Sequence, residues 1–449
     1  MRFLNVLRLM PLAAVVACSG IFDVKAPDVV TPEKLESASG AKLLMNGAIY
    51  RMNLVSPYLL YYADVMSDQY STAFTTDFLD QRVHSEVLNS SVVIGGYVYT
   101  QAQFMRVEAT QAIPPMRQFV NESSGPTRAQ IGRMYTIRGY GELLMGEMMC
   151  SGLPLSSAVV GTLKMGPPVS RDSMLKVAVS DFDSAFTAGV GDSARLGNMA
   201  KVLKGRALLD LDQPAAAAAA VAGVPTNFNF MTDFSTTTTS NFPGYYPGYG
   251  YATVPDREGI NGLPYVSAND PRVPLTPITT GVVYASGVPL NPRPYAYTPY
   301  YAGYQVTSYK NFSLISGVEA RLIEAEAALR AGDNAGSLAI LNSLRATAAP
   351  IWGTTALNMA PLTDAGTPDA RVDQLFYERA FWLFLTGHRL GDMRRLVRFY
   401  KRSVDKVFPT GPWLNHPGQN YGQGVSLSAD AAELNNPNWA GTTCDTRIP

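Results

Sequence analysis

The strongest constraint in this sequence is that part of it occurs twice. Lys201–Val224 (KVLKGRALLDLDQPAAAAAAVAGV) aligns without gaps onto Arg321–Leu344 (RLIEAEAALRAGDNAGSLAILNSL), bringing Gly205 onto Ala325, Leu209 onto Leu329 and Ala215 onto Ala335. In the later copy Val318, Leu322, Ala325 and Leu329 recur at helical spacing, with Ile323 and Ala327 widening that face. Gly332 then supplies a left-handed stop, Asp333 caps a second helix, and Ala335, Leu338, Leu341 and Leu344 continue its apolar stripe. Two helices joined by so short a turn lie antiparallel, and small Ala faces let them approach closely. In the earlier copy Pro214 takes the first-turn position of the second helix. Such paired hairpins predict a mostly α-helical, tetratricopeptide-like scaffold.

Further helices are predicted from a Thr31 cap with Pro32 in its first turn through Leu44, Ala48 and Met52, and over Thr100–Val120, 127–149 and Arg171–Ala188. Between the repeat copies the texture changes. Residues 227–309 are rich in Pro, Gly, Asn and Tyr (NFPGYYPGYGYATVPDREG, then NPRPYAYTPYYAGYQV) and read as a loop-rich subdomain with short irregular strands, because a structureless loop of that length does not suit a compact domain. The expected layout is a leader at 1–17, a tether at 18–30, a helical part at 31–226 and loops at 227–310. Helical repeats follow at 311–402 and a coil tail at 403–449, packed on the scaffold.

Lys plus Arg and Asp plus Glu number 36 each, so no basic field exists to hold nucleic acid. Arg2 and Arg8 precede a short apolar run, Leu9–Ala17, that ends in Val-Val-Ala-Cys. The run is too short to span a bilayer and reads as a lipoprotein signal, with Cys18 the lipidated residue and the membrane reached only through that anchor. Cys150 and Cys444 then remain as an even pair in an oxidising compartment, open to pairing or to two separate thiols.

The most specific block is ERAFWLFLTGHRLGDMRRL, a helix ending near Gly387 and resuming within three residues. Glu378, Arg379, Arg389, Asp392, Arg394 and Arg395 bracket an aromatic run too apolar to be exposed. This pattern resembles the C-terminal signature of the RagB/SusD family of outer-membrane nutrient-binding lipoproteins, and ANDPR at 268–272 resembles a motif of that family's middle region. The resemblance implies a cell-surface protein that captures an oligosaccharide or other nutrient and hands it to a TonB-dependent β-barrel transporter. It also implies a ligand site on the loops after the first helices and in the loop-rich middle, and so Asp68, Tyr70 and Arg82 together with Tyr245, Tyr246, Tyr249 and Tyr251.

The residues themselves favour binding over catalysis. Tyr245, Tyr246, Tyr249 and Tyr251, and again Tyr295, Tyr297, Tyr300, Tyr301 and Tyr304, are spaced by Pro and Gly. A tyrosine offers a flat apolar face and a hydroxyl, which suits the CH face and hydroxyl rim of a sugar; packing of coil onto helices is the competing role. All four tryptophans, Trp352, Trp382, Trp413 and Trp439, fall late, which leaves room for a smaller or non-sugar nutrient. Of the three histidines, His84, His388 and His416, His388 lies in the Gly-His-Arg turn and reads as structural, His416 has no Ser, Cys or acidic partner at a recognisable spacing, and no HExxH, CxxC, P-loop or GxSxG motif occurs. The expectation is therefore no catalytic residue and no metal. An envelope scaffold without a small ligand, or a surface glycosidase using carboxylates such as Asp64 and Asp68, are the rival readings.

Overall fold

The computed structural model describes residues 35–72, 93–159, 162–232, 252–277, 297–299, 313–412, 420–429, 431–441 and 444–449. Its amino-terminal layer is built around α3, Arg128–Met148, which packs on α2 (Val93–Gln118) and on α4 (Arg171–Ala188). Helix α1, Ala38–Met66, covers the other side of α2. A capping box opens α3: Gln130 N–H donates to Thr127 Oγ1, and Thr127 N–H donates to the Gln130 side chain. Glycines at Gly139 and Gly146 let α4 approach. A Cβ on Gly139 would sit 2.9 Å from the Phe182 ring, and one on Gly146 would sit 2.6 Å from Leu175. Helix α1 is capped by Ser37, while Thr31 and Pro32 lie outside the described residues.

The repeat is present in three dimensions. Helices α5 (Ala194–Asp210) and α6 (Pro214–Val221) form one hairpin, and α7 (Gly317–Arg330) and α8 (Asn334–Thr347) the other. Their turns match bond for bond. Leu211 N–H donates to Ala207 O as Ala331 N–H does to Ala327 O, and Gln213 N–H donates to Leu208 O as Asp333 N–H does to Ala328 O. The left-handed position is Gly332 at φ +82° in one copy and Asp212 at φ +59° in the other. Gly205 lies where α6 and α7 converge, since a Cβ there would meet Val221 at 2.5 Å and Ile323 at 3.3 Å.

The excursion between the two hairpins is closed at its base. Strand β6 (Asn229–Met231) pairs antiparallel with β10 (Ser313–Ser316), which runs directly into α7. The other strands are short two-stranded ladders: β2 (Leu153–Pro154) with β5 (Pro168–Val169), β3 (Ser157–Val159) with β4 (Thr162–Lys164), β1 (Ser71–Thr72) with β7 (Ala252–Thr253), and β8 (Leu275–Pro277) with β9 (Tyr297–Pro299). After α9 (Pro368–Trp382), α10 (Arg389–Arg398) and α11 (Val404–Val407), the chain returns over the end of α3. There Cys150 is joined to Cys444 by a disulfide, and Leu427 N–H donates to Met148 O. Among the described residues no helix is long and apolar enough to cross a membrane.

The sequence expectation that the signature helix reaches Gly387 is corrected. Helix α9 ends at Trp382, because Leu385 (φ +54°) and Gly387 (φ +75°) both take left-handed backbone that no α-helix contains. Gly387 has no room for a side chain, since a Cβ would lie 2.4 Å from Leu60 Cδ2 and 3.0 Å from Leu60 Cα. Gly387→Ala is expected to cost at least about 2 kcal/mol, from backbone strain and crowding together. Chemical denaturation checks this, and an unshifted midpoint would contradict it.

Candidate functional site

Two of the short ladders, β1–β7 and β8–β9, matter because of what they bring together. Ser71 pairs with Thr253 and Thr72 with Ala252, so the chain leaving α1 runs antiparallel to the chain that follows Tyr251. Strand β9 pairs with β8 and also lies against β7. The two tyrosine-bearing stretches of the sequence and the segment after Tyr70 therefore share one root, formed by Thr72, Ala252, Pro277 and Tyr297. Arg82, Tyr245, Tyr246, Tyr249 and Tyr251 lie outside the described residues, as does Cys18.

Asp68 and Tyr70 are placed differently from the expectation of ligand-facing groups. Both are buried, Asp68 completely. The Asp68 carboxylate accepts from Arg389 Nε (2.8 Å) and Nη2 (3.1 Å), from Leu263 N–H (3.0 Å) and from Tyr265 O–H (3.3 Å). With four donors on two oxygens and no solvent exposure, it has nothing left for a ligand. Tyr70 packs its ring on Tyr61, 5.5 Å between centroids, in an aromatic row that continues through Tyr62 to Tyr97 and Tyr58. Tyr58 and Tyr97 are the half-exposed members of that row. Sequence reasoning passed over both, since neither sits in a Pro/Gly-spaced cluster.

The carboxy-terminal signature is likewise turned inward. Arg379 forms a fork with Asp392 at 2.9 and 2.8 Å. Arg395 reaches Glu326, Asp210 and Asp392. Arg394 Nη1 donates to the Gly146 and Glu147 carbonyls, satisfying the end of α3 where the helix dipole is negative. Gly387 N–H donates to Asp64 Oδ1 at 3.0 Å. His388 Nδ1 lies 2.8 Å from Thr386 Oγ1, and its Nε2 lies 3.0 Å from Glu319 Oε1 and 3.1 Å from Arg206 Nη1. Burial and then Arg206 hold the His388 pKa below its ordinary value. Burial alone would raise Glu319, but His388 and Arg206 bring it below the usual carboxylate range.

The ANDPR stretch belongs to the same interior. Arg272 bridges Asp270 (2.9 and 2.7 Å) and Glu378 (2.6 Å), and Arg345 takes the other Glu378 oxygen at 2.8 Å. The Arg272 guanidinium also lies over the Phe381 and Trp382 rings, at 5.4 and 5.2 Å. The loop-rich excursion is thus pinned to α9 by charge. Arg272, Glu378 and the signature residues are all buried, so these motifs specify the fold and not a ligand contact.

No family model and no curated protein matches the sequence. Among solved structures, a SusD superfamily protein from Bacteroides thetaiotaomicron superposes with a TM-score of 0.64 at 15% identity, over 90% of this chain and 98% of that one. The chain has the SusD-like fold. A SusD superfamily protein from Parabacteroides distasonis matches equally well in shape, TM-score 0.64, at 14% identity over 91% of this chain and 98% of its own. A putative sugar binding protein from Bacteroides vulgatus matches with TM-score 0.59 at 17% identity, over 89% and 97% of the two chains. At such identities the SusD-like likeness is one of architecture.

Burial raises several carboxyls of the SusD-like interior, Glu147 and Asp64 among them, and Glu142 shows the consequence for pH. Glu142 on α3 receives Arg106 Nε at 3.0 Å, but its second oxygen has no hydrogen-bond partner. Burial pushes its carboxyl up to about 8, against the pull of Arg106. A folded-state pKa raised above the unfolded value means stability fully present below about 4.5 and lost as pH rises through about 8. The depressed carboxyls Asp210, Glu319 and Asp392 act oppositely, losing stability in acid. Thermal melts of Glu142→Gln should therefore decline less between pH 5 and 8 than those of the parent protein. Parallel curves would contradict this assignment.

Proposed function

We propose that this protein is a cell-surface capture protein for a neutral, hydroxyl-rich nutrient, an oligosaccharide in the first instance. On this reading it is lipid-anchored through Cys18 and delivers its ligand to a TonB-dependent β-barrel transporter, without catalysing a reaction. The observation that carries the reading is the common root of the tyrosine-bearing segments, where β1 pairs with β7 and β9 lies beside them. That convergence sits on a scaffold shared with a structure described as a SusD superfamily protein and with another described as a putative sugar binding protein. Stacking on several tyrosines needs no charge, in keeping with the zero formal net charge of the chain.

The test is a thermal-shift screen of neutral oligosaccharides, because a ligand that binds only the folded state raises the melting temperature. Truncating Tyr245, Tyr246 or Tyr249 to Ala should weaken a hit about fivefold per ring, from roughly 1 kcal/mol of stacking, with the melting temperature of the free protein unchanged. Lower melting temperature with unchanged affinity would assign these rings to packing. Cys18→Ala should abolish fatty-acid labelling, and affinity capture from detergent extracts should bring down a β-barrel. Hydrolysis of the bound sugar would instead favour the glycosidase reading.

A further inference from the structure

A two-residue ladder cannot hold itself together in water, yet β1–β7 is the only strand pairing that joins the segment after α1 to the segment after Tyr251 among the described residues. What fixes it lies immediately beside it. Gln69, fully enclosed, donates from Nε2 to the Tyr265 hydroxyl oxygen Oη (3.2 Å) and to the Ala380 carbonyl (3.1 Å), and its Oε1 accepts from Leu385 N–H at 3.0 Å. Tyr265 O–H in turn donates to Asp68 Oδ1 at 3.3 Å. Its ring lies between Phe381 and Phe384, 5.2 Å from each. Asp68 completes the chain by gripping Arg389 and the Leu263 N–H. Every donor faces an acceptor: Gln69 donates to Tyr265, Tyr265 donates to Asp68, and Arg389 donates to the same Asp68 carboxylate.

From this juxtaposition we infer that Gln69, Tyr265 and Asp68 are positioning residues that fix the common root of the ligand-bearing segments to the Leu383–Arg389 turn of the signature. The three residues lie on two of the paired segments and on neither repeat hairpin. Tyr265 follows β7 and Gln69 precedes β1, so one hydroxyl ties both strands of the ladder to the same point. The left-handed Leu385, whose N–H Gln69 receives, gives the turn a shape that a continued helix would lack. The inference rests on the binding-protein reading for its purpose but not for its test.

Tyr265→Phe removes one oxygen and keeps the stacked ring, so the fold should survive. Hydrogen–deuterium exchange of the whole protein is then read at peptides covering 70–72 and 252–254 and at the helices 317–347. The expected result is at least tenfold faster exchange at the two ladder peptides with the helices unchanged. Gln69→Met, which fills the space without polar atoms, should do the same and more strongly. Equal acceleration everywhere would mean a merely global stabilising role, and unchanged ladder peptides would mean the ladder is held by other contacts; either outcome overturns the inference. A glycan array of neutral oligosaccharides is run in parallel. If the parent protein binds a glycan, Tyr265→Phe should weaken it fivefold or more at an unchanged melting temperature for the helices. If the parent binds none, the sugar reading fails while exchange still decides the clamp.

Discussion

Arg395→Met is expected to lower the unfolding free energy by about 3–5 kcal/mol, the largest loss for any single substitution in the signature. The guanidinium is buried and serves three carboxylates at once. Its Nε and Nη2 reach Glu326 at 3.2 and 3.0 Å, Nη1 reaches Asp210 at 3.1 Å, and Nη2 also reaches Asp392 at 2.7 Å. Asp392 retains Arg379 and Glu326 retains the Tyr400 hydroxyl, but Asp210 loses the bond that holds its Oδ1. The cost is therefore dominated by carboxylates left in a medium that cannot solvate them, and not by the attraction lost. A second measurement separates the two. Adding Asp210→Asn to Arg395→Met should recover part of the loss, since removing both charges of a buried pair costs less than removing one. Urea unfolding supplies both values, and a single-mutant loss under about 1 kcal/mol would show the cluster to be solvated and the argument wrong.

That cluster explains what could be read from the sequence and what could not. The repeat was legible because its information is local: helical spacing, a left-handed stop and an N-cap lie within one stretch, and Asp333 does cap α8 by accepting from Gly336 N–H. Helix α4 was likewise legible from its apolar face, Leu175, Ala178 and Phe182. Helix α2 starts at Val93, earlier than Thr100, because Val-Ile-Gly-Gly carries no helical signal of its own. The burial of Asp68 was not legible at all. Its partner Arg389 is 321 positions away, and an Asp in an Asp- and Tyr-bearing segment looks equally like a ligand group or a buried ion. The same holds for ANDPR, whose Arg272 is fixed by Glu378 at a separation of 106. Motif recognition found the right residues for the fold, and burial shows that their charge is neutralised inside it. Gln69 and Tyr265 carry no motif, and their pairing is set by contacts 196 positions apart in the chain.

Removing the disulfide, Cys150→Ser with Cys444→Ser, should lower stability by about 2–5 kcal/mol. The bridge closes a separation of 294 residues, so the chain-entropy cost it spares the folded state lies toward the upper end of that range. What remains after its loss is the burial of Val425, Leu427 and Trp439, together with a few hydrogen bonds from the tail to the end of α3 and the segment that follows it. Cys150 N–H donates to Leu427 O and Leu427 N–H to Met148 O, both at 2.8 Å. Trp439 Nε1 donates to Gly152 O at 3.0 Å, and Asn436 Nδ2 to Gly166 O at 3.1 Å. Each contributes on the order of 1 kcal/mol net, which competes poorly with the backbone freedom the tail would regain. The helical layer does not depend on these ties, because the repeat hairpins and α1–α4 pack on one another directly. The variant should therefore keep its helical circular dichroism at 25 °C while limited proteolysis begins to cut after residue 420. Reducing agent should have the same effect on the parent protein. A melting temperature unmoved by both treatments would mean that the tail is held by its own packing, with the bridge adding nothing to it.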